Sequence, residues 1–434
     1  MRSKLHFINL LVILLTFSSM SVVSAKTPKA GSVCSKVGIK QVHAGKTFTC
    51  VKSGQKKVWS KGVKVSSPEL KPIPVTDFSS SDLITAASSL TDVQICKTRD
   101  LTEGGVTSNG FPRPTYAKFG NFSARLLLLP ISFTDFPFKD SDLRSVKAMA
   151  DQVVSFYSKS SYGRVSLTFE ILEKSKWINM GRSAASYNLV QNKPQQNNEQ
   201  VVIDALALAD PSINFDLYDG VVFESGYFQA SGGGQGFPGR KYQTKNGVAK
   251  GVNFEFGVSV GKVEILAHEI GHSLFALEDL YVFLNSNRPS VPDPVPAGDW
   301  DMMSTSALEF FAWNKLLMGW IDDSQVRCIK DQLSTTHYVE SVEIASNKPK
   351  LVLINLQEGV TLAIESRSPI PASVSKGVLV YRIDSRISHG DGPIITQRPI
   401  LFSGASMSVD GWTIKALRQD NNGVLLQIDK GSKA

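Results

Sequence analysis

A solid apolar run occupies residues 126–131 (Leu-Leu-Leu-Leu-Pro-Ile), flanked by Arg125 and Ser132. Its length and lack of alternation predict a strand buried on both faces. Residues 143–158 and 200–209 repeat their apolar positions at helical spacing, 164–171 alternate as a strand does, and 220–223 form another short buried run. Segment 231–236, Ser-Gly-Gly-Gly-Gln-Gly, is predicted as a flexible loop that either lines a cleft or connects elements. Past about residue 335 the pattern becomes short strands between turn residues, at 350–356, 361–365, 377–384, 412–417 and 423–428. The expectation is an α+β chain whose mixed domain, 121–335, is followed by a C-terminal β-domain, 336–434.

One helical stretch carries chemistry. Val263, Ile265, Leu266, Ala267, Ile270, Leu274 and Ala276 surround the run His268-Glu269-Ile270-Gly271-His272. On a helix, positions four apart lie one above the other, so both imidazoles point the same way and can share one metal ion. Glu269 follows the first His and can reach a metal-bound water without ligating the metal. The alternative is an ordinary His pair on a solvated helix face. The apolar flanks argue against it, since unpaired His and Glu on a buried helix are costly while metal ligation satisfies them. Zn2+ held by neutral His suits this donor set, with Glu269 as general base.

A catalytic zinc needs a third protein ligand. The other His past the N-terminal leader are His43, His337 and His389, none close downstream, so a carboxylate is expected. Glu278 and Asp279 stand side by side. In a metzincin-type site a Gly ends the helix after the second His, and the third ligand falls six residues beyond that His, at Glu278 here. Phe275 occupies the Gly position, however, and a helix running slightly longer favours Asp279; Glu309 is a third alternative. Downstream, Gly298-Asp299-Trp300-Asp301-Met302-Met303-Ser304 reads as a Met-turn that places the Met303 thioether beneath the His ligands, and residues 312–320 read as a helix closed by Gly319.

As a set these elements resemble the secreted immune inhibitor A-type metallopeptidases of bacteria. The matching residues are 268–272, Asp279-Leu280-Tyr281, 300–304 and 313–320, with 131–135 and Ser161-Tyr162-Gly163-Arg164 upstream and Glu365-Ser366-Arg367 and 377–384 downstream. The resemblance covers about 120–430 and implies a metzincin-like zinc endopeptidase, made as a precursor, that acts on protein or peptide substrates.

Charge and cysteine usage add a second component. Residues 26–65 hold ten Lys and no Asp or Glu; without them and the leader's Arg2 and Lys4, the formal net charge falls from +8 to −4. Such a concentrated patch suits an anionic cell-wall polymer, with a solvated spacer as the plain alternative. Arg2 and Lys4, the apolar run 8–17 and Val23-Ser24-Ala25 read as a signal peptide over 1–25, so a secreted or wall-associated chain without a transmembrane segment is expected, and nucleic acid is not an expected partner. Residues 66–80 read as a Ser- and Pro-rich linker and 81–120 as either a pro-segment or a strap. Four Cys in an exported chain point to two disulfides, Cys34–Cys50 within the Lys-rich module and Cys96–Cys328 across the mixed domain. The rival is a free Cys96 that blocks the zinc until a pro-segment is removed. Rival functions are a zinc amidase acting on wall peptides and a non-catalytic surface-binding protein with a vestigial peptidase fold.

Overall fold

A computed structural model describes residues 29–34, 37–38, 40–43, 46–64, 84–102, 105–190, 196–209, 211–229, 231–283, 293–304, 309–368 and 377–431. The expected signal peptide and the 66–80 linker lie outside these residues. The chain divides into two units, 1–77 and 78–434.

In the first unit, β1 (Lys40–His43), β2 (Lys46–Ser53) and β3 (Lys56–Trp59) form an antiparallel sheet, with β4 (Val63–Lys64) also pairing β2. Its buried core is Cys34, Phe48, Cys50 and Trp59. So small a core cannot hold a fold by burial alone, and the Cys34–Cys50 disulfide reinforces it.

The second unit begins with a strap, residues 84–120, that includes the short helix α1 (Val93–Cys96). A six-stranded sheet follows, built from β5 (Phe122–Ser132), β6 (Val165–Ile171), β7 (Ile178–Asn179), β8 (Gly220–Ser225), β9 (Gly232–Gln243) and β10 (Val248–Gly257). Its order is β6-β5-β8-β10-β9, with β7 on β5; every pairing is parallel except that of β9, the antiparallel edge. Helices α2 (Asp140–Ser160) and α4 (Val263–Ser273) cover one face, and α3 (Asn198–Leu208) packs with the core of the other. Leu126 and Leu128 enter the first core, Leu127, Leu129 and Ile131 the second, which is why β5 is apolar throughout.

Segment 231–236 is not a loop. It opens edge strand β9, paired to β10 from Gly232↔Gly257 onward. Its glycines reflect close packing rather than flexibility: a Cβ on Gly234 would lie 2.7 Å from both Glu269 Oε1 and Ile265 Cγ2 of α4.

Beyond α5 (Ala312–Leu317) the chain builds two further sheets. One runs β11 (Val326–Ile329), β13 (Leu351–Gln357), β14 (Val360–Arg367), β15 (Gly377–Asp384), β16 (Ile394–Leu401) in that order. The other is β12 (Ser334–Glu340), β19 (Gly423–Lys430), β18 (Trp412–Gln419), β17 (Ser406–Val409). Together they enclose a sandwich core containing Val352, Ile364, Val380, Ile414 and Leu426. The outer face of the first sheet, through Leu353, Ala363, Tyr381 and Ile383, belongs to the same core as α2 and α4. The β-rich half therefore shares a wall with the helical half, and 78–434 is one unit. Among the described residues no helix is long and apolar enough to cross a membrane.

The strap is woven into this unit. Thr85 N–H donates to Thr336 O at 2.9 Å, and Cys96 is bonded to Cys328, with 5.7 Å between their Cα atoms. No cysteine is free, so Cys96 is not available as a thiolate. The Cys96–Cys328 crosslink closes a loop of 232 residues. Replacing both cysteines with Ser is expected to lower stability by about 2–4 kcal/mol in denaturant titrations, and the denatured native chain is expected to show no reactive thiol.

Candidate metal centre

Helix α4 carries His268 and His272 one turn apart on one face, their ring centroids 4.7 Å from each other. Each imidazole is oriented by a backbone carbonyl. His268 Nδ1–H donates to Met302 O at 2.9 Å and His272 Nδ1–H to Leu277 O at 2.7 Å. A neutral imidazole has one proton, so these bonds leave both Nε2 atoms with their lone pairs exposed. The two Nε2 atoms lie 3.0 Å apart. Asp279 Oδ1 stands 2.8 Å from the first and 3.3 Å from the second.

Three lone-pair donors thus meet at one point inside the protein, and they form a group able to hold a metal ion. Such a cluster requires positive charge. Burial alone would lower both His, but the Asp279 carboxylate outweighs it and raises His268 to about 9 and His272 in the same direction. Burial alone would raise Asp279, and the two imidazoles instead hold it well below the usual carboxylate range.

The turn after α4 decides which carboxylate joins the histidines. The helix ends at Ser273, and Ala276 takes the left-handed conformation at φ 55° while its N–H donates to His272 O at 3.1 Å. The left-handed residue is Ala276 rather than Phe275, one position later than the pattern with Gly after the second His, and this swings Asp279 under the rings. Glu278 points away, against Arg113 and Asp100. Burial, followed by the Asp100 charge, raises its carboxyl to about 8 despite the opposing guanidinium. Arg113 itself holds the turn: its Nη2 donates to Phe275 O at 2.7 Å and Ala276 O at 2.9 Å. Glu309 is also outside the cluster, paired with Lys315 at 3.0 Å.

Met303 lies directly against the helix. A Cβ on Gly271, between the two histidines, would be 2.5 Å from its Sδ, so only glycine admits the thioether there. Leu280 N–H donates to Met303 O at 2.9 Å, tying the Met-turn to the strand of chain that carries Asp279. Glu269 is buried beside edge strand β9, where Gly236 N–H donates to its Oε2 at 2.6 Å.

Sequence reasoning missed two residues. His389, from the β15–β16 connection, lies with Nε2 3.1 Å from Asp279 Oδ2, and burial lowers its pKa. Tyr281, whose hydroxyl is pushed up by burial and by the nearby Asp279 charge, stacks on His268 with centroids 6.2 Å apart. The only signal for His389 is a histidine in a Gly-rich connection, Ser388-His389-Gly390-Asp391-Gly392. Compared with protein-family models and with curated proteins, the chain matches none.

Behind the site, Glu224 and Glu255 sit opposite each other on β8 and β10, both fully buried. Burial pushes Glu224 up to about 8 and Glu255 well above the usual range, so the pair retains protons. The unfolded side chains ionise near 4.5. The stability from this pair is therefore fully present below about pH 4.5 and is lost as pH rises towards 8. Glu255→Gln, neutral at every pH, is expected to stabilise the chain by about 1–3 kcal/mol at pH 8 and to have little effect near pH 4.5, as read by denaturant melts.

Proposed function

We propose that this chain is a zinc-dependent endopeptidase of metzincin-like architecture. The observation that carries this reading is the meeting of His268 Nε2, His272 Nε2 and Asp279 Oδ1, with each ring's Nδ1 engaged by a backbone carbonyl so that both Nε2 atoms face the carboxylate. Two nitrogens and one carboxylate oxygen fit Zn2+, and three protein ligands are the number a catalytic zinc site uses. A bound zinc supplies Lewis acidity, bringing the pKa of water to about 7 and polarising a carbonyl.

The remaining chemistry belongs to the protein. Gly236 N–H occupies Glu269 Oε2, which orients the carboxylate and leaves Oε1 to take a proton from the attacking water and pass it to the leaving amine nitrogen. Edge strand β9 runs beside Glu269, and the unpaired side of an edge strand offers N–H and C=O groups to an extended peptide. That favours a polypeptide substrate over a compact one. Glu269→Gln is expected to leave zinc bound while lowering peptide cleavage by about 10²- to 10⁴-fold. His268→Ala, His272→Ala and Asp279→Ala lose the metal by elemental analysis, whereas Glu278→Gln retains it. Wild-type turnover by the Glu269 variant would refute the mechanism.

The Lys-rich unit and the disulfides fit an exported chain that works at an anionic cell wall. Its Lys52, Lys56 and Lys61 are exposed, with no acidic residue in 26–65 to neutralise them. Attraction of this kind is screened over about 8 Å at physiological salt. Deleting 26–65 is expected to abolish salt-sensitive binding to purified walls and to leave cleavage of a small soluble peptide unchanged. Equal wall binding by the truncated chain would make the unit a spacer.

A further inference from the structure

We propose that His389 is a positioning residue of the metal centre, holding the outer oxygen of Asp279 so that the carboxylate presents Oδ1 alone to the ion. This rests on the metal reading above. Both ring nitrogens of His389 meet the same residue: Nδ1 accepts the Asp279 backbone N–H at 3.3 Å, and Nε2 lies 3.1 Å from Oδ2. Since Nδ1 accepts, the single proton of a neutral imidazole is on Nε2, donated to Oδ2. Oδ1 meanwhile faces the Nε2 atoms of His268 and His272 at 2.8 and 3.3 Å. The two oxygens thus have different partners. A carboxylate whose second oxygen is held does not turn to chelate with both, and the coordination position needed by substrate water stays open.

The position of His389 is fixed several times over. Gly390, left-handed at φ 72°, packs so closely that a Cβ would come within 2.1 Å of the Phe283 ring. Phe283 N–H donates to Gly390 O at 2.8 Å, and Val282 bridges Asp391. Gly392, also at φ 72°, would place a Cβ 2.7 Å from Pro296. These contacts fasten the connection to the stretch directly after Asp279. The His389 ring is further flanked by Phe283 at 5.1 Å and His272 at 5.8 Å between centroids. So many constraints on one exposed connection match a part whose placement matters to the residue it touches.

The test compares metal-free wild type, His389→Ala and His389→Gln, titrated with Zn2+ against a chromophoric chelator and with Co2+ followed by its visible spectrum. His389→Ala is expected to bind one ion about 10- to 100-fold more weakly. Its Co2+ absorption should also lose intensity, as the released Oδ2 raises the coordination number above four. His389→Gln, whose side-chain N–H reaches the same oxygen, recovers most of both. Should the Ala variant not fold, Gly390→Ala keeps the imidazole but must displace it from Phe283, and is expected to give the same loss. Wild-type affinity and spectrum in the folded Ala variant would overturn the role. A loss that Gln does not recover would make His389 a ligand and overturn it equally. A wild-type chain that takes up neither ion would instead overturn the metal reading, and this role with it.

Discussion

Two imidazole lone pairs and one carboxylate oxygen meet within about 3 Å of one another, and much of the second unit is arranged to hold them there. Taking such polar groups out of water is costly, and unrestrained side chains would turn back towards solvent. Each is instead held from behind. Met302 O and Leu277 O fix the rings, the left-handed turn at Ala276 aims Asp279, and Arg113 ties down the carbonyls of that turn. The holding groups come from three separate stretches of chain, so the site exists only when the whole unit is folded. That dependence explains why residues 84–120 are built into the unit rather than laid over it: the strap supplies Arg113 and is bonded through Cys96 to β11.

The C-terminal sheets take part in the same task. Arg367 on β14 donates to Trp300 O and Phe310 O, each at 3.1 Å, gripping the chain on both sides of the Met302–Met303 turn. It is itself held by Glu365 at 2.7 Å and Glu343 at 3.0 Å, all three fully or almost fully buried. Glu365 also accepts Ala312 N–H at 2.7 Å, fixing the start of α5. A buried pair of this kind is costly to break once one partner is removed. The floor of the candidate site is therefore fastened to the β-sandwich by charge as well as by the shared apolar wall. A boundary near residue 335 reads plausibly in the sequence because strand density changes there, while the packing that joins the halves is three-dimensional and leaves no local trace.

Other features were legible because they are local. The His268–His272 spacing, the apolar run of β5 and the short C-terminal strands follow from side-chain periodicity, which one segment displays without help from the rest. The disulfide pairing was legible from counting, since two Cys lie in one short module and two do not. The glycine run at 231–236 was misread because glycine signals freedom in a loop and close approach in a strand, and only the neighbour tells which. Here the neighbour is Glu269. His389 left almost no signal, being 110 residues from the carboxylate it touches.

The choice between Glu278 and Asp279 shows how one backbone residue decides which carboxylate joins the two histidines. Adjacent side chains in an extended segment point to opposite sides, so only one of the two can face the rings. Had residue 275 taken the left-handed conformation, the segment would have been advanced by one position and Glu278 would have faced His268. Phe275 is poorly suited to that conformation and is fully buried against Tyr157, Phe122 and Trp320, contacts that a left-handed backbone there would break. Ala276 takes it instead, with a side chain small enough to accept the strain. The rejected carboxylate then lies in a buried spot with Asp100 nearby and keeps its proton, which is tolerable for a structural acid and unsuitable for a metal ligand. The aromatic packing behind α4 thus selects which carboxylate meets His268 and His272, and does so from side chains that lie outside that cluster.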